Sequence, residues 1–214
     1  MIDVTVPNRS LAVLISGRGS NLQSIIDAIA SGELDATIRL VISNRPEAPG
    51  LKRARDAQLD AMCLSPRDYP DRDAYDAAIA EHLRARDIGL ACLAGFMRLV
   101  GEPLLSAFPY RILNIHPSLL PAFPGLQAQR QALAYGARVT GATVHLVTSE
   151  LDGGPILLQA AVPVLEHDSE DTLSARVLVE EHKLYPQAIR LMFDGVRLDG
   201  RRVYRADARK QAAV

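Results

Sequence analysis

The run LAVLI at residues 11–15 is apolar at every position. A strand with one wet face alternates apolar and polar residues. A strand apolar throughout must be covered on both faces, as in a parallel sheet sandwiched by helices. Comparable short runs follow at 37–44, 60–65, 88–95 and 111–117. Between them lie stretches of helical periodicity at 21–33, 49–57, 71–87 and 101–108. Leu22, Ile25, Ile26 and Ile29 share one helical face, as do Tyr75, Ala78, Ile79, His82 and Leu83. Strand–helix alternation of this kind predicts an α/β fold with a doubly wound, Rossmann-like, mostly parallel sheet.

The pattern changes after residue 117. A helix is expected at 125–136, and strands at 141–149 and 154–164 are joined by a glycine loop, an antiparallel extension of the sheet. A long helix opens at Ser169–Thr172 with capping-box spacing and runs to about Phe193, with Pro186 expected to kink it. Asp199-Gly200 between alternating residues predicts a hairpin, and the tail from Ala206 is expected to fray. The 214 residues read as a single domain, a parallel half at about 11–117 and a second half at about 118–205.

Net charge is −1, so nothing draws the chain generally to nucleic acid or an anionic membrane. The N-terminus lacks the basic and then apolar pattern of a secretion signal, and no run approaches the ~20 apolar residues of a membrane span; a cytoplasmic location is expected. Cys63 and Cys92 show no paired metal-binding spacing and read as two buried small hydrophobes.

Three segments carry chemistry. In LISGRGSNLQS a strand ends in Gly17-Arg18-Gly19 and opens into a helix at Ser20-Asn21, the setting for an anion at unpaired helix N–H groups. The Gly-Lys-Ser/Thr of a nucleoside triphosphate loop is absent. Leu22 stands where a dinucleotide loop has its third glycine, and the next strand ends in Ser43-Asn44 rather than an acid. What remains is either a site for one terminal phosphate at Gly19, Ser20 and Asn21, or a plain strand-to-helix turn. In LNIHPSLLPAFPG, Asn114 and His116 fall on one face at the carboxyl end of a strand, able to serve developing negative charge. Asp152, in the Asp-Gly-Gly of 152–154, becomes chemical only where the fold brings it to His116. Gly-x-Ser-x-Gly is absent, and His116, His145 and Asp152 lack a recognised metal-ligand spacing, so no metal is expected.

LISGRGSNLQSII, AGFMRLV, LNIHPSLLPAFPGL and ELDGGPILLQ, in this order, resemble the glycinamide ribonucleotide formyltransferases of the folate-dependent formyltransferase superfamily, over about residues 11–193. The resemblance implies formyl transfer from 10-formyltetrahydrofolate, as co-substrate, to the amine of glycinamide ribonucleotide, with no tightly bound cofactor. It implies a catalytic Asn114, His116 and Asp152, a phosphate site at Gly19, Ser20 and Asn21, and Glu181 holding the nucleotide. It assigns the folate site to Arg72, to Met97, Arg98, Leu99 and Val100, and to Thr148, Ser149, Glu150 and Leu151, the second half of the domain completing that site. Small molecules are the expected partners, with no nucleic acid or membrane, and the chain is expected as a monomer or homodimer. Arg18 stands where Asn is common in relatives, and Gln127 and Gln129 where a familiar relative has His. Methionyl-tRNA formyltransferase, 10-formyltetrahydrofolate hydrolase and a non-catalytic phosphometabolite module are the alternatives.

Overall fold

The computed structural model describes residues 1–206. Ten strands and six α-helices follow one another as β1 (Ile2–Val4), β2 (Ser10–Ile15), α1 (Ser20–Ala30), β3 (Thr37–Ser43), α2 (Pro49–Asp56), β4 (Ala61–Cys63), α3 (Arg72–Ala85), β5 (Leu90–Leu93), α4 (Glu102–Ala107), β6 (Ile112–His116), α5 (Ala128–Tyr135), β7 (Val139–Leu146), β8 (Ile156–Pro163), α6 (Glu170–Asp194), β9 (Val196–Asp199) and β10 (Arg202–Arg205).

The main sheet has seven strands in the order β4-β3-β2-β5-β6-β7-β8. Neighbours from β4 to β6 run parallel, while β7 and β8 add antiparallel. The order reverses at β2, the switch point beside which open α/β sheets take their ligands. The apolar run of β2 is covered twice, as its composition demands. Leu11, Val13 and Ile15 face a core shared with Leu22 and Ile25 of α1 and Tyr185 and Ile189 of α6. Ala12 and Leu14 face a second core with Tyr75, Ile79 and Leu83 of α3 and Leu104 of α4.

Helix α6 begins with the expected capping box. The Ser169 side chain accepts the Thr172 N–H, and the Thr172 hydroxyl takes the Ser169 N–H. Asp168, just before it, receives two Arg176 N–H groups at 2.6 and 2.8 Å. The helix continues unbroken through Pro186, which is buried against the core. The Tyr185 hydroxyl, sharing its one hydrogen between Leu93 O at 2.9 Å and Leu113 O at 3.2 Å, stitches α6 to the end of β5 and the start of β6.

The hairpin at Asp199-Gly200 forms as expected, but its partner is a strand that the sequence pattern did not announce. β1 pairs with β9, Ile2 opposite Leu198, making a separate antiparallel sheet β1-β9-β10. Three residues are too few to show a period. Cys92 is fully buried, but Cys63 is only half-buried, because β4 lies at the edge of the sheet. The tail beyond Ala206 falls outside the described residues.

Candidate active site

Parallel topology brings the carboxyl ends of β2, β5 and β6 to one edge, and the antiparallel β7 returns to it. From β2 to β6 is two strand spacings, about 10 Å. The glycine corner follows β2, the segment Met97–Val100 follows β5, and Asn114 and His116 close β6.

At the corner, Gly19 adopts a left-handed conformation (φ 71°) as the N-cap of α1, and no side chain caps it. The first-turn N–H groups of a helix lack intrahelical acceptors, so Ser20 and Asn21 offer theirs outward. A second glycine fixes this geometry. Gly50 of α2 packs against the corner and donates its N–H to Gly17 O at 3.0 Å. A Cβ on Gly19 would stand 2.8 Å from Gly50 Cα. Arg53 Nε adds a bond to Arg18 O at 2.8 Å. The Asn21 side chain, placed on the phosphate by the sequence reading, donates instead to Glu181 Oε2 at 2.7 Å. Two residues 160 positions apart are thereby joined, both buried. Burial pushes the Glu181 carboxyl up, against the opposing Asn21 bond and Arg18 charge.

Asn114, His116 and Asp152 come together. His116 Nδ1 lies 3.4 Å from Asp152 Oδ2, and its Nε2 meets Phe123 O at 2.9 Å. A ring that donates from Nε2 to Phe123 O turns its Nδ1 to the Asp152 carboxylate. At 3.4 Å Asp152 acts on the ring more as a charge than through a short bond, so Nδ1 is the nitrogen more readily turned to a substrate oxygen. Asp152 sits in a left-handed turn (φ 49°) and accepts the Gly125 N–H at 2.7 Å. Burial raises its carboxyl, but the His145 ring, the Gly125 N–H and the His116 charge outweigh that and hold it below the usual carboxylate range.

His145 completes the cluster, a residue the sequence reading weighed only as a metal ligand. Its Nδ1 faces Leu146 O at 3.0 Å and its Nε2 faces Asn114 Nδ2 at 3.2 Å. Nδ1 as donor makes Nε2 the acceptor, so the Asn114 amide turns its NH2 group toward His145 and keeps a second N–H for another oxygen. Protonating Nε2 would redirect it to Asp152 Oδ1, 3.7 Å away. The signal was the antiparallel register, in which Asn114 pairs with His145. Among the described residues no group of His, Cys, Asp and Glu is arranged to hold a metal ion.

The residues expected to bind folate lie on α3, on the segment after β5 and in the loop before Asp152. Met97, Leu99 and Leu151 are exposed apolar side chains at 60, 55 and 55%, suited to a flat aromatic ring. Arg98 stacks on Tyr75, its guanidinium carbon 5.1 Å from the ring centre. Arg72 lies exposed on α3, with Nε 3.9 Å from Asp73. Val100 is half-buried; Thr148 and Glu150 belong to the loop before Asp152, where Glu150 N donates to Thr148 Oγ1 at 3.3 Å and Glu150 pairs with Arg201. Ser149 is exposed in that loop. A cavity of about 120 Å³ between Leu120, Pro121, Ile156 and Arg201 reaches Asp152. A larger cleft of about 570 Å³ runs from Ser20 between α1 and α6.

A family profile described as formyl transferase matches residues 9–189. The phosphoribosylglycinamide formyltransferase of Escherichia coli K12 is 47% identical over 186 residues, 87% of this chain and 88% of that protein. The trifunctional purine biosynthetic protein adenosine-3 of Drosophila pseudoobscura is 46% identical over 88% of this chain, which spans only 14% of that relative's length. The crystal structure of glycinamide ribonucleotide transformylase 1 from Symbiobacterium toebii superimposes with a TM-score of 0.91 at 56% identity, over 92% of this chain and 94% of that one. On these matches the chain belongs to the formyl transferase family, in its phosphoribosylglycinamide formyltransferase branch.

Proposed function

We propose that the chain transfers the formyl group of 10-formyltetrahydrofolate to the amine of N1-(5-phospho-D-ribosyl)glycinamide, a step of de novo purine synthesis. The approach of His116 to Asp152 at 3.4 Å, with Asn114 on the same strand face, carries this reading. The substrate amine attacks the formyl carbon and a C–N bond forms. The carbonyl oxygen becomes an oxyanion, which His116 and the free Asn114 N–H receive. Donors aimed at a developing oxyanion contribute about 3 kcal/mol each in comparable sites. The amine then loses a proton, N10 of the folate gains one, and the bond from N10 to the formyl carbon breaks. Asp152 keeps His116 charged and relays that proton through water.

The helix N-terminus at Gly19, Ser20 and Asn21 takes the phosphate, and Glu181 the amine or ribose part of the nucleotide. The folate ring lies against Met97–Val100 and the loop Thr148–Leu151, with Arg72 and Arg98 meeting its anionic tail. The folate is consumed and replaced each cycle, so no tightly bound cofactor is required. The two halves, about 11–117 and 118–205, act as one domain, as a monomer or homodimer in the cytoplasm. No helix among the described residues is long and apolar enough to cross a membrane.

A formyl-transfer assay offering 10-formyltetrahydrofolate with either the nucleotide or methionyl-tRNA tests the reading. Product from the nucleotide alone is expected. Formylated tRNA, or release of free formate without an acceptor, would assign the site to a different member of the superfamily.

A further inference from the structure

The Met97–Val100 segment is fastened at both ends by side chains that lie outside it. At the near end Met97 N–H donates to Ser16 Oγ at 2.8 Å, and Ser16, directly after β2, is buried. At the far end Gly101 N–H donates to Asp76 Oδ2 at 2.5 Å. Asp76, on α3, is 1% exposed. The contact is close: a Cβ on Gly101 would lie 2.9 Å from Asp76 Oδ2 and 3.3 Å from Arg72 Nε, so a larger residue would displace one of these side chains. Between the two anchors the chain presents Met97 and Leu99 to solvent, with Arg98 and Val100 half-buried.

A buried carboxylate is costly unless other groups meet it. Burial raises the Asp76 carboxyl, and the Gly101 N–H, Arg72 and Arg98 oppose that, with Asp73 adding to it. Accepting one N–H does not need a charge; a serine or asparagine would do. A charge adds attraction to Arg72, whose Nε also lies beside Gly101, and to Arg98, stacked on the neighbouring Tyr75. Arg98 is further confined by its stacking on Tyr75, and its buried Nε has no hydrogen-bond partner among the described residues.

We propose that Asp76 is a positioning residue for the folate co-substrate, holding Gly101 from beneath to fix the far end of the Met97–Val100 segment, with its charge drawing Arg72 and Arg98 toward that end. It touches neither the reacting atoms nor the nucleotide, and the proposal rests on the function proposed above. Its signature is a loss of folate affinity with turnover preserved.

Steady-state kinetics on the full chain, varying each substrate in turn, test this with Asp76→Ala and Asp76→Asn. For Asp76→Ala the KM for 10-formyltetrahydrofolate is expected to rise about tenfold, with kcat and the nucleotide KM within about threefold of the parent, the pattern of lost binding that is common to ground and transition states. Asp76→Asn retains an acceptor for Gly101 without the charge and should fall between. Calorimetric titration with tetrahydrofolate should lose affinity by the same factors. An unchanged folate KM in Asp76→Ala overturns the proposal, as does an equal fall in kcat with the folate KM intact. If Asp76→Ala does not fold, Asp76→Asn decides alone: a folate KM raised about threefold supports the role and an unchanged one refutes it. Failure of the underlying function would look different, because the parent chain itself would then transfer no formyl group.

Discussion

At His116 both ring nitrogens are met by protein oxygens, Asp152 on one side and Phe123 on the other. A substrate oxygen must therefore take the place of one of them, and the looser contact is the one to Asp152. His116→Ala should lower kcat by about 10²–10⁴-fold, the usual worth of a positioned acid–base group, while nucleotide affinity measured by calorimetry changes little. Loss of binding with turnover of the residual complex intact would make the histidine structural. Asp152 offers a test in pH. Its native carboxyl is held below the ordinary value, so the ionised form favours folding. That contribution is fully present above about pH 4, near the unfolded aspartate value, and is lost as pH falls through the lowered native value. Urea denaturation of the parent and of Asp152→Asn should therefore show a stability difference that moves against the parent below about pH 4. A difference that does not move there would show that the Asp152 carboxylate does not favour folding.

At the scale of elements, the parallel strands and their helices were legible because coverage on both faces leaves a plain mark, an apolar run without alternation. The corner at Gly17-Arg18-Gly19 was legible as a turn into a helix, but its second cause was not. Gly50, opening α2, presses on Gly19, and no local pattern announces a contact made 31 residues away in the chain. His145 was missed for a related reason. Its place opposite Asn114 depends on antiparallel register, which is set by how β6 and β7 pair and not by either strand's composition. At Pro186 tertiary packing adds to what local rules read, because the residue is buried and α6 continues through it. The corner yields a prediction. Gly19→Ala places a Cβ in a left-handed position 2.8 Å from the Gly50 backbone. It should cost about 1–3 kcal/mol of stability in denaturant titration and weaken competition by inorganic phosphate against the nucleotide. Ser20→Ala, which leaves the backbone N–H groups in place, should weaken that competition much less. Equal effects from the two would put the phosphate on side chains and not on the helix end.

For the molecule as a whole, the site draws on β2, β5, β6, β7 and α6, which meet in the two cores of one sheet. Glu181 and Asn21 join α6 to α1, and Tyr185 joins it to the end of β5 and the start of β6. A ligand bound across these elements is present only when all of them are folded, so its binding free energy adds to global stability. At a nucleotide concentration about one hundred times its dissociation constant, the gain is about 2.7 kcal/mol. For a chain of this size each kcal/mol moves the midpoint by roughly 2–4 °C, a total of about 5–11 °C. The same shift should survive in His116→Ala, which leaves the phosphate corner intact, and should shrink in Gly19→Ala. Calorimetric melts with and without the nucleotide measure both. A single transition that moves as a unit is expected. Two transitions, of which the nucleotide moves only the one belonging to the parallel half, would divide the chain into separately folding units and overturn the single-domain reading.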